Sequence, residues 1–361
     1  MREKIEPFHV AILVHMIQTG VLILSLPQLL ARYFGYNGWL ALFLVSFVVV
    51  INILLIAGVY KYGGNRSIFE ILEQSISKWV LAPFYIGLAS VWALAGVMVA
   101  KQYVIMFQMM AFPTTHPMLI LFMIGVLNYL LLIKGIFSIS KAATVFFWLF
   151  AWMLLLLLCF YSEFDRSRLT PFLLQGGHGS KVKGFLEVYT AFFGYELALL
   201  LIPYVRSPSI FKPLFMGNLL TTVAYTAISF VCFGFFSLDS LKQLFYPTLG
   251  LLAYVQFPFI ERMENLLYGF FLFTVIITIV MYTWASQQTI QRLVPRLSPK
   301  WVSFGIMAAA YTIAWIPTVL NEVQVWLRNI GYIETGVAFG LPLLLLLILL
   351  LQRGKAVSGN A

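Results

Sequence analysis

Two stretches of the sequence place polar residues inside long apolar runs. Residues 18–27 (QTGVLILSLP) and residues 194–203 (GYELALLLIP) each combine a glycine with a later proline. Glycine and proline interrupt helices, and an interrupted membrane helix exposes backbone N–H and C=O groups that hydrocarbon cannot pair. A zwitterion pairs with both, since its carboxylate accepts from amides and its ammonium group donates to carbonyls. Together the stretches predict a ligand site, although either break alone can also be a packing kink.

The first break supplies several groups that can contact such a ligand. Gly20 allows close approach to the backbone because it has no Cβ, and a half-helix beginning near it can hold a carboxylate. Gln18, Thr19 and Ser25 offer side-chain hydrogen bonds, although a hydroxyl in a membrane helix often bonds its own backbone instead.

Lys101 and Glu196 are ionisable residues within apolar segments, which makes them candidates for function. Each lies about eleven residues from the outer end of its span, or roughly 16 Å at 1.5 Å per residue, so the two can pair. Such a pair is either a structural ion pair that holds two helices together, or a pair whose protonation or rearrangement follows ligand occupancy. His15, one turn before Thr19, is either a third coupling candidate that relays protons or a packing residue.

The elements that position these groups are membrane helices. Of the 361 residues, 61% are hydrophobic and 10% charged, and apolar runs repeatedly reach the roughly 20 residues that cross a bilayer. A β-barrel is excluded because the runs are continuous rather than alternating. The pattern predicts ten spans, at residues 8–33, 38–60, 80–111, 117–133, 142–161, 185–205, 213–236, 264–288, 301–319 and 333–351.

The charged loops predict an orientation with both termini in the cytoplasm, since that choice puts most lysines and arginines inside. Membrane topology therefore accounts for the net charge of +10, and no nucleic-acid partner is expected. The same orientation predicts that seven acidic residues lie outside: Glu163, Asp165, Asp239, Glu261, Glu264, Glu322 and Glu334. Residues 66–79 suit an interfacial helix, and residues 237–262 are expected to be partly helical and external.

Ten spans divide at the long loop 162–184 into two repeats, residues 8–161 and 185–351, within one transmembrane domain. Because each repeat has an odd number of spans, the two lie in opposite orientations. The predicted fold is therefore an all-α integral membrane protein with a 5+5 inverted repeat and broken first and sixth helices, the LeuT-like architecture. Matching interruptions in such repeats point to a midplane binding site.

Motifs for catalysis are missing from the sequence. It has no phosphate loop, nucleophile elbow or HExxH motif, and residues 175–180 (QGGHGS) suit a flexible loop. We therefore predict no enzymatic activity, no cofactor and no metal site.

Residues 13–39, which include the turn GYNGW at 35–39, and residues 191–205 (AFFGYELALLLIPYV) resemble the B subunit of bacterial spore nutrient germinant receptors. That family lies within the amino acid/polyamine/organocation transporter superfamily, and the resemblance extends over essentially the whole chain. It implies a receptor in the spore inner membrane that recognises a small germinant, usually an amino acid, together with A and C partner subunits. By analogy, the ligand-binding residues are Gln18, Thr19, Gly20, Val21, Lys101, Gly194, Tyr195 and Glu196. One departure is Gln18, because transporters of the superfamily commonly carry two small residues around the first break.

Three functions are consistent with these features. The first is a ligand-sensing receptor subunit with a transporter fold, which the resemblance favours. The second is a proton-coupled amino acid transporter, because an intramembrane carboxylate serves either use. The third is an assembly or ion-conducting subunit whose polar residues are structural.

Overall fold

The computed structural model describes residues 4–64, 66–169, 172–206, 209–254 and 263–358, and these ranges are helical throughout apart from loops and one β-bridge. The helices of the first half are α1 Pro7–Gln18, α2 Leu26–Phe34, α3 Ala41–Gly63, α4 Ile68–Glu73, α5 Lys78–Ala111, α6 Pro117–Leu132 and α7 Ile136–Ala151. Those of the second half are α8 Lys181–Thr190, α9 Ala198–Leu201, α10 Phe211–Phe235, α11 Leu238–Gln243, α12 Pro247–Ala253, α13 Met263–Leu293, α14 Pro299–Ile313 and α15 Leu320–Ser358.

In the described ranges, six helical segments are long and apolar enough to cross a membrane, so the chain is a multi-pass membrane protein. They are Gly38–Gly63, Lys78–Ala111, Ile136–Phe160, Phe211–Phe235, Asn265–Leu293 and Leu320–Arg353. Two shorter apolar helices, α1 and α6, accompany them. The remaining predicted spans are interrupted or shorter, and a total of ten therefore stays a prediction.

Helix α13 forms the centre of the molecule. In its most apolar stretch 72% of the residues are buried, against at most 44% in the other five long segments. It packs most extensively on α5 and also contacts α1, α6, α7 and α14. Side chains that point from α13 toward α1 and α5 are therefore shielded from lipid, which is where polar groups can persist in a membrane protein.

The first predicted break is present. Helix α1 ends at Gln18, a single 3-10 turn follows at Val21–Leu24, and α2 begins at Leu26. Pro27 lies in the first turn of α2, where its missing N–H and fixed φ suit a helix start. Gly20 has extended backbone angles, and a Cβ built there would meet nothing nearer than the Gln18 carbonyl oxygen at 3.9 Å. The position therefore has room for a side chain.

The second predicted break is present as well. Helix α8 ends at Thr190, and regular α-helix resumes only at Ala198. Between them, Gly194 has φ +117°, in the region that favours glycine. A Cβ at Gly194 would lie 2.3 Å from Cγ2 of Ile17, so the second break packs directly against the end of α1. Here the missing side chain is a packing requirement.

Several boundaries differ from the sequence prediction. Helix α15 begins at Leu320 rather than at 333, because residues 320–332 carry charges that lower the hydropathy without ending the helix. The segment that corresponds to the fifth predicted span likewise begins at Ile136, before the predicted 142. In the stretch 66–79, helix α4 buries Ile68, Phe69, Ile71 and Leu72 against the protein. Of the predicted external segment, α11 and α12 are helical, and residues 255–262 lie outside the described residues.

Candidate functional site

A cavity of about 320 Å³ lies beside the first break. Its walls come from Ile17, Gln18 and residues 20–22, from α2, α5 and α8, and from the facing sides of α13 and α15. Small-molecule pockets span roughly 300–1,000 Å³, so this cavity is at the small end of that range and suits a small ligand.

The two ends of the cavity differ in exposure. One end is lined by Arg32, Asn321 and Arg328, which are exposed, and lies on the side of the molecule that carries residues 172–180, here named the loop end. The other end is lined by Tyr282 and Glu334, both buried. A solute entering from the loop end therefore meets carboxyl and phenol groups at the bottom.

Three of the eight predicted ligand-binding residues line this cavity: Gln18, Gly20 and Val21. The other five, Thr19, Lys101, Gly194, Tyr195 and Glu196, are buried and do not line it, so direct contact between them and a ligand stays a prediction. The structure adds further lining groups that the prediction did not include, among them Thr278 and Gln102.

The two breaks are held together by side chains. Gln18 Nε2 donates to the Phe192 carbonyl at 2.8 Å, which joins the first break to the second. The Tyr225 hydroxyl lies within hydrogen-bonding distance of the Gln18 carbonyl and of the Ala191 carbonyl, the latter at 2.9 Å, so its single O–H is shared between the two breaks. Each bond satisfies a carbonyl released by a helix ending, as a dry interior requires.

These contacts alter the predicted chemistry of the breaks. The Ile17 carbonyl accepts from the Thr278 hydroxyl at 3.1 Å, so this carbonyl and those of Ala191 and Phe192 already have protein donors. The predicted half-helix after Gly20 is a four-residue 3-10 turn, which aligns fewer peptide dipoles than an α-helix of several turns. An ammonium group therefore has more favourable acceptors elsewhere in the cavity.

Glu196 has buried partners from three elements. Its carboxylate accepts from the Gly194 N–H at 2.8 and 3.0 Å, and its Oε1 accepts from the Tyr282 hydroxyl at 3.4 Å. It also lies in hydrogen-bonding contact with the carboxyl of Glu334. Two acidic side chains from distant parts of the sequence thus meet at the bottom of the cavity.

The prediction that Glu334 lies outside is wrong. Its side chain is 2% exposed, because α15 begins 14 residues earlier than Glu334 and carries it into the protein. Sequence reasoning missed it because the apolar run was taken to start at 333. A helical pattern through residues 320–332, with no proline or turn signal, is the feature that would have placed it deeper.

The predicted pairing of Lys101 with Glu196 is not formed. Lys101 Nζ lies 2.9 Å from Sδ of Met118, and among the described residues no ion pair joins Lys101 to Glu196. Equal depth in the membrane did not bring the two side chains together, because Lys101 points toward α6 and Glu196 toward α13 and α15.

His15 and Thr19 belong to a hydrogen-bonded group behind the cavity. His15 Nδ1 lies 3.0 Å from the Thr221 hydroxyl, which donates to Gln18 Oε1 at 2.8 Å. Thr19 donates to the His15 carbonyl at 2.7 Å, the local bond expected for a threonine in a membrane helix. The group positions Gln18, which is the member that lines the cavity.

Tyr195 supports the site from the side away from the cavity. Its hydroxyl bonds that of Tyr189 and accepts from Asn52 Nδ2 at 2.9 Å. The same Asn52 nitrogen donates to the Ala338 carbonyl at 2.9 Å, so α3, α8 and α15 are joined around the second break.

A family model described as "Spore germination protein" matches residues 4–323 of this chain. The chain belongs to the spore germination protein family. Over 91% of its length it is 24% identical to spore germination protein GerQB of Bacillus cereus, covering 92% of that protein. Spore germination protein A2 of Bacillus subtilis (strain 168) is also 24% identical, with 97% of this chain and 96% of that protein covered.

A solved structure with a similar fold is MHP1, a nucleobase-cation-symport-1 family transporter in a closed conformation with bromovinylhydantoin bound. The TM-score is 0.66 at 12% identity, covering 96% of this chain and 78% of that one. At this identity the likeness shows the fold alone. This member of the spore germination protein family therefore has the fold of a transporter.

Proposed function

We propose that this chain is the transporter-fold subunit of a spore germinant receptor, which binds a small nutrient, an amino acid, near the membrane midplane. The observation that carries the proposal is the cavity of about 320 Å³ beside the first break, in a chain of the spore germination protein family. Occupancy triggers germination with partner subunits, the A and C subunits of the receptor, in the spore inner membrane.

The architecture proposed for this function is ten spans in a 5+5 inverted repeat, with residues 8–161 and 185–351 as the two halves and both termini cytoplasmic. Two helix interruptions, at residues 19–20 and 191–197, support it, since matching interruptions in the two halves mark the binding site of such folds. In that orientation the loop end faces outward, so the germinant enters from the outside.

The ligand rests against the first break. Its carboxylate lies near the backbone after Gly20, with Gln18 alongside, and its side chain faces Val21 and Leu22. The apolar character of these neighbours and the small cavity favour a small apolar amino acid.

Substitution at Gly20 tests this placement. A leucine there projects into the cavity, and its Cβ has ordinary contact distances, so it blocks the ligand and leaves the fold intact. A matched control is Gly87→Leu, because a Cβ at Gly87 on the exposed face of α5 meets nothing within 4 Å.

The measurement is equilibrium binding of labelled glycine, L-alanine, L-valine and L-leucine to the purified chain in proteoliposomes. We expect loss of binding in Gly20→Leu and unchanged binding in Gly87→Leu. Spores that carry the Gly20→Leu chain with its partner subunits should lose the germination response. Equal binding by both variants would move the ligand away from the first break.

The second candidate function is a proton-coupled amino acid transporter. The buried carboxyls of Glu196 and Glu334, in a chain with a transporter fold, favour it, because intramembrane carboxyl groups serve as proton sites in transporters. Uptake of the same labelled amino acids under an imposed pH gradient separates the candidates. Concentrative uptake supports transport, and binding without uptake supports sensing.

A further inference from the structure

The contact between Glu196 and Glu334 poses an electrostatic problem. Both side chains are 2% exposed, and their carboxyls are in hydrogen-bonding contact. An ionised carboxylate only accepts hydrogen bonds, so two carboxylates cannot bond each other unless a proton or another cation lies between them.

The surroundings provide no resident cation. The polar groups that the structure places around the pair are the Gly194 N–H, Tyr189, Tyr195 and Tyr282. All are neutral, and none of the ion pairs in the described ranges includes either glutamate.

Basic residues nearby are engaged or distant. Lys101 contacts Met118, and His15 bonds Thr221 behind Gln18. Arg32 and Arg328 line the exposed loop end of the cavity, and Arg328 lies six residues before Glu334 on the same helix, roughly 9 Å away at 1.5 Å per residue. The cation that balances the pair must therefore come from solution.

Glu334 is the member of the pair that a solute can reach. It lines the cavity, whereas Glu196 lies behind it, and its Oε1 has no hydrogen-bond partner. A buried acceptor without a donor is costly, and an ammonium group supplies three donors together with the missing charge. The Ile17, Ala191 and Phe192 carbonyls already have donors, and the other carboxylate that lines the cavity, Glu187, has Lys183 Nζ within 4.0 Å, so in the described ranges Glu334 is the cavity carboxyl without a basic neighbour.

We propose that the Glu196–Glu334 pair is an exchange site that holds one proton when the cavity is empty and the ammonium group of a primary amine when it is filled. On binding, the amine keeps its three N–H bonds, one proton leaves the pair for solution, and the charge of the site stays at one negative. The identification of that amine with an amino acid germinant rests on the function proposed above. The exchange of a proton for an ammonium group does not rest on that function.

The exchange sets the direction of the pH dependence. Because one proton leaves for each ammonium group bound, the apparent affinity rises with pH, by about tenfold per pH unit while the pair still holds its proton. The apparent affinity of a ligand held only by backbone groups does not rise with pH in this way.

The test uses n-propylammonium as the probe, with n-propanol and propionate as matched compounds without the ammonium group. The purified full chain in lipid nanodiscs is treated with dicyclohexylcarbodiimide, an apolar reagent that modifies protonated carboxyl groups, and the site of modification is found by mass spectrometry. We expect modification of Glu334 near neutral pH, its loss with n-propylammonium, and its persistence with n-propanol or propionate. Proton release on adding n-propylammonium is measured on the same sample with a pH-sensitive dye.

Variants complete the design. Glu334→Gln should release no proton and bind n-propylammonium about a hundredfold more weakly, because it removes the acceptor that faces the cavity. Glu163→Gln, at an exposed position in the loop after α7, should behave as the wild type. The wild-type measurements stand even if the Glu334 variant does not fold.

The outcomes separate this inference from the proposed function. Equal protection by n-propanol, or no protection and no proton release, would overturn the exchange site. Amino acid binding that is equal in the wild type and in Glu334→Gln would also overturn it and leave the proposed function standing. Protection by n-propylammonium without binding of any amino acid would support the exchange site and reject the proposed ligand.

Discussion

Gln18 Nε2 donates to the carbonyl of Phe192 at 2.8 Å, across a separation of 174 residues in the sequence. This bond joins the end of α1 to the interruption after α8, and Gln18 also lines the cavity. One side chain therefore serves both the packing of the two breaks and the surface that a ligand meets. The residue that departs from the superfamily pattern is the one that links the two halves of the site.

Replacing Gln18 by leucine should destabilise the protein. The change leaves the buried Phe192 carbonyl without its side-chain donor, at a cost of about 1–3 kcal/mol, whereas the Thr221 hydroxyl keeps the Gly217 carbonyl as an acceptor. Thermal unfolding of the purified chain measures the effect. Gln28→Leu is the control, because its one bond, to the Lys242 carbonyl, is long at 3.4 Å and partly exposed. A Gln18 variant as stable as the control would mean that the bond contributes little.

Gly194→Ala should be far more harmful than Gly20→Ala. At Gly194, φ is +117° and the new methyl group would meet Ile17 at 2.3 Å, so we expect roughly 2–4 kcal/mol of destabilisation from strain and overlap. At Gly20 the methyl group fits, so stability should change by less than about 1 kcal/mol. Thermal unfolding of both variants, side by side, checks the contrast. Similar stability would show that the second break adjusts freely.

The Tyr225 hydroxyl should stabilise the junction of the two breaks. Tyr225→Phe removes the donor to both the Gln18 and Ala191 carbonyls in a fully buried position, which should cost about 1–3 kcal/mol. Tyr254→Phe, at a side chain that is 64% exposed, serves as the control. The losses of stability from Gln18→Leu and Tyr225→Phe should be non-additive in the double variant, because both residues join the end of α1 to the interruption after α8.

Lys101→Met and Glu196→Gln should act independently. Their side chains have different partners, so a double-mutant cycle on stability should show coupling within about 0.5 kcal/mol. Lys101→Met alone should be neutral or stabilising, since it replaces a buried ammonium group, which forms no ion pair within the described ranges, with an apolar side chain of similar length. Strong coupling between the two substitutions would indicate that Lys101 and Glu196 form the ion pair that the sequence predicted.

The sequence by itself determined the membrane character and the position of both helix breaks. These features depend only on residues that are adjacent in the sequence. A long apolar run is sufficient to predict a membrane span, and the glycines and prolines of residues 18–27 and 194–203 interrupt the helix at their own positions. Gln18 and Gly20, predicted from the first break, and Val21, predicted from the family resemblance, line the cavity. The burial of Glu196 followed from its apolar neighbours in the same way.

The tertiary structure decided which polar groups meet. Lys101 and Glu196 have matching depths in the sequence yet turn to different neighbours, while Glu334 reaches Glu196 only because α15 begins at Leu320 and packs beside the second break. Depth along a helix can be counted from residues. The direction in which a side chain points around its helix axis, and the helix that faces it, depend on packing between segments more than a hundred residues apart, and the carboxyl pair at the bottom of the cavity is a product of that packing alone.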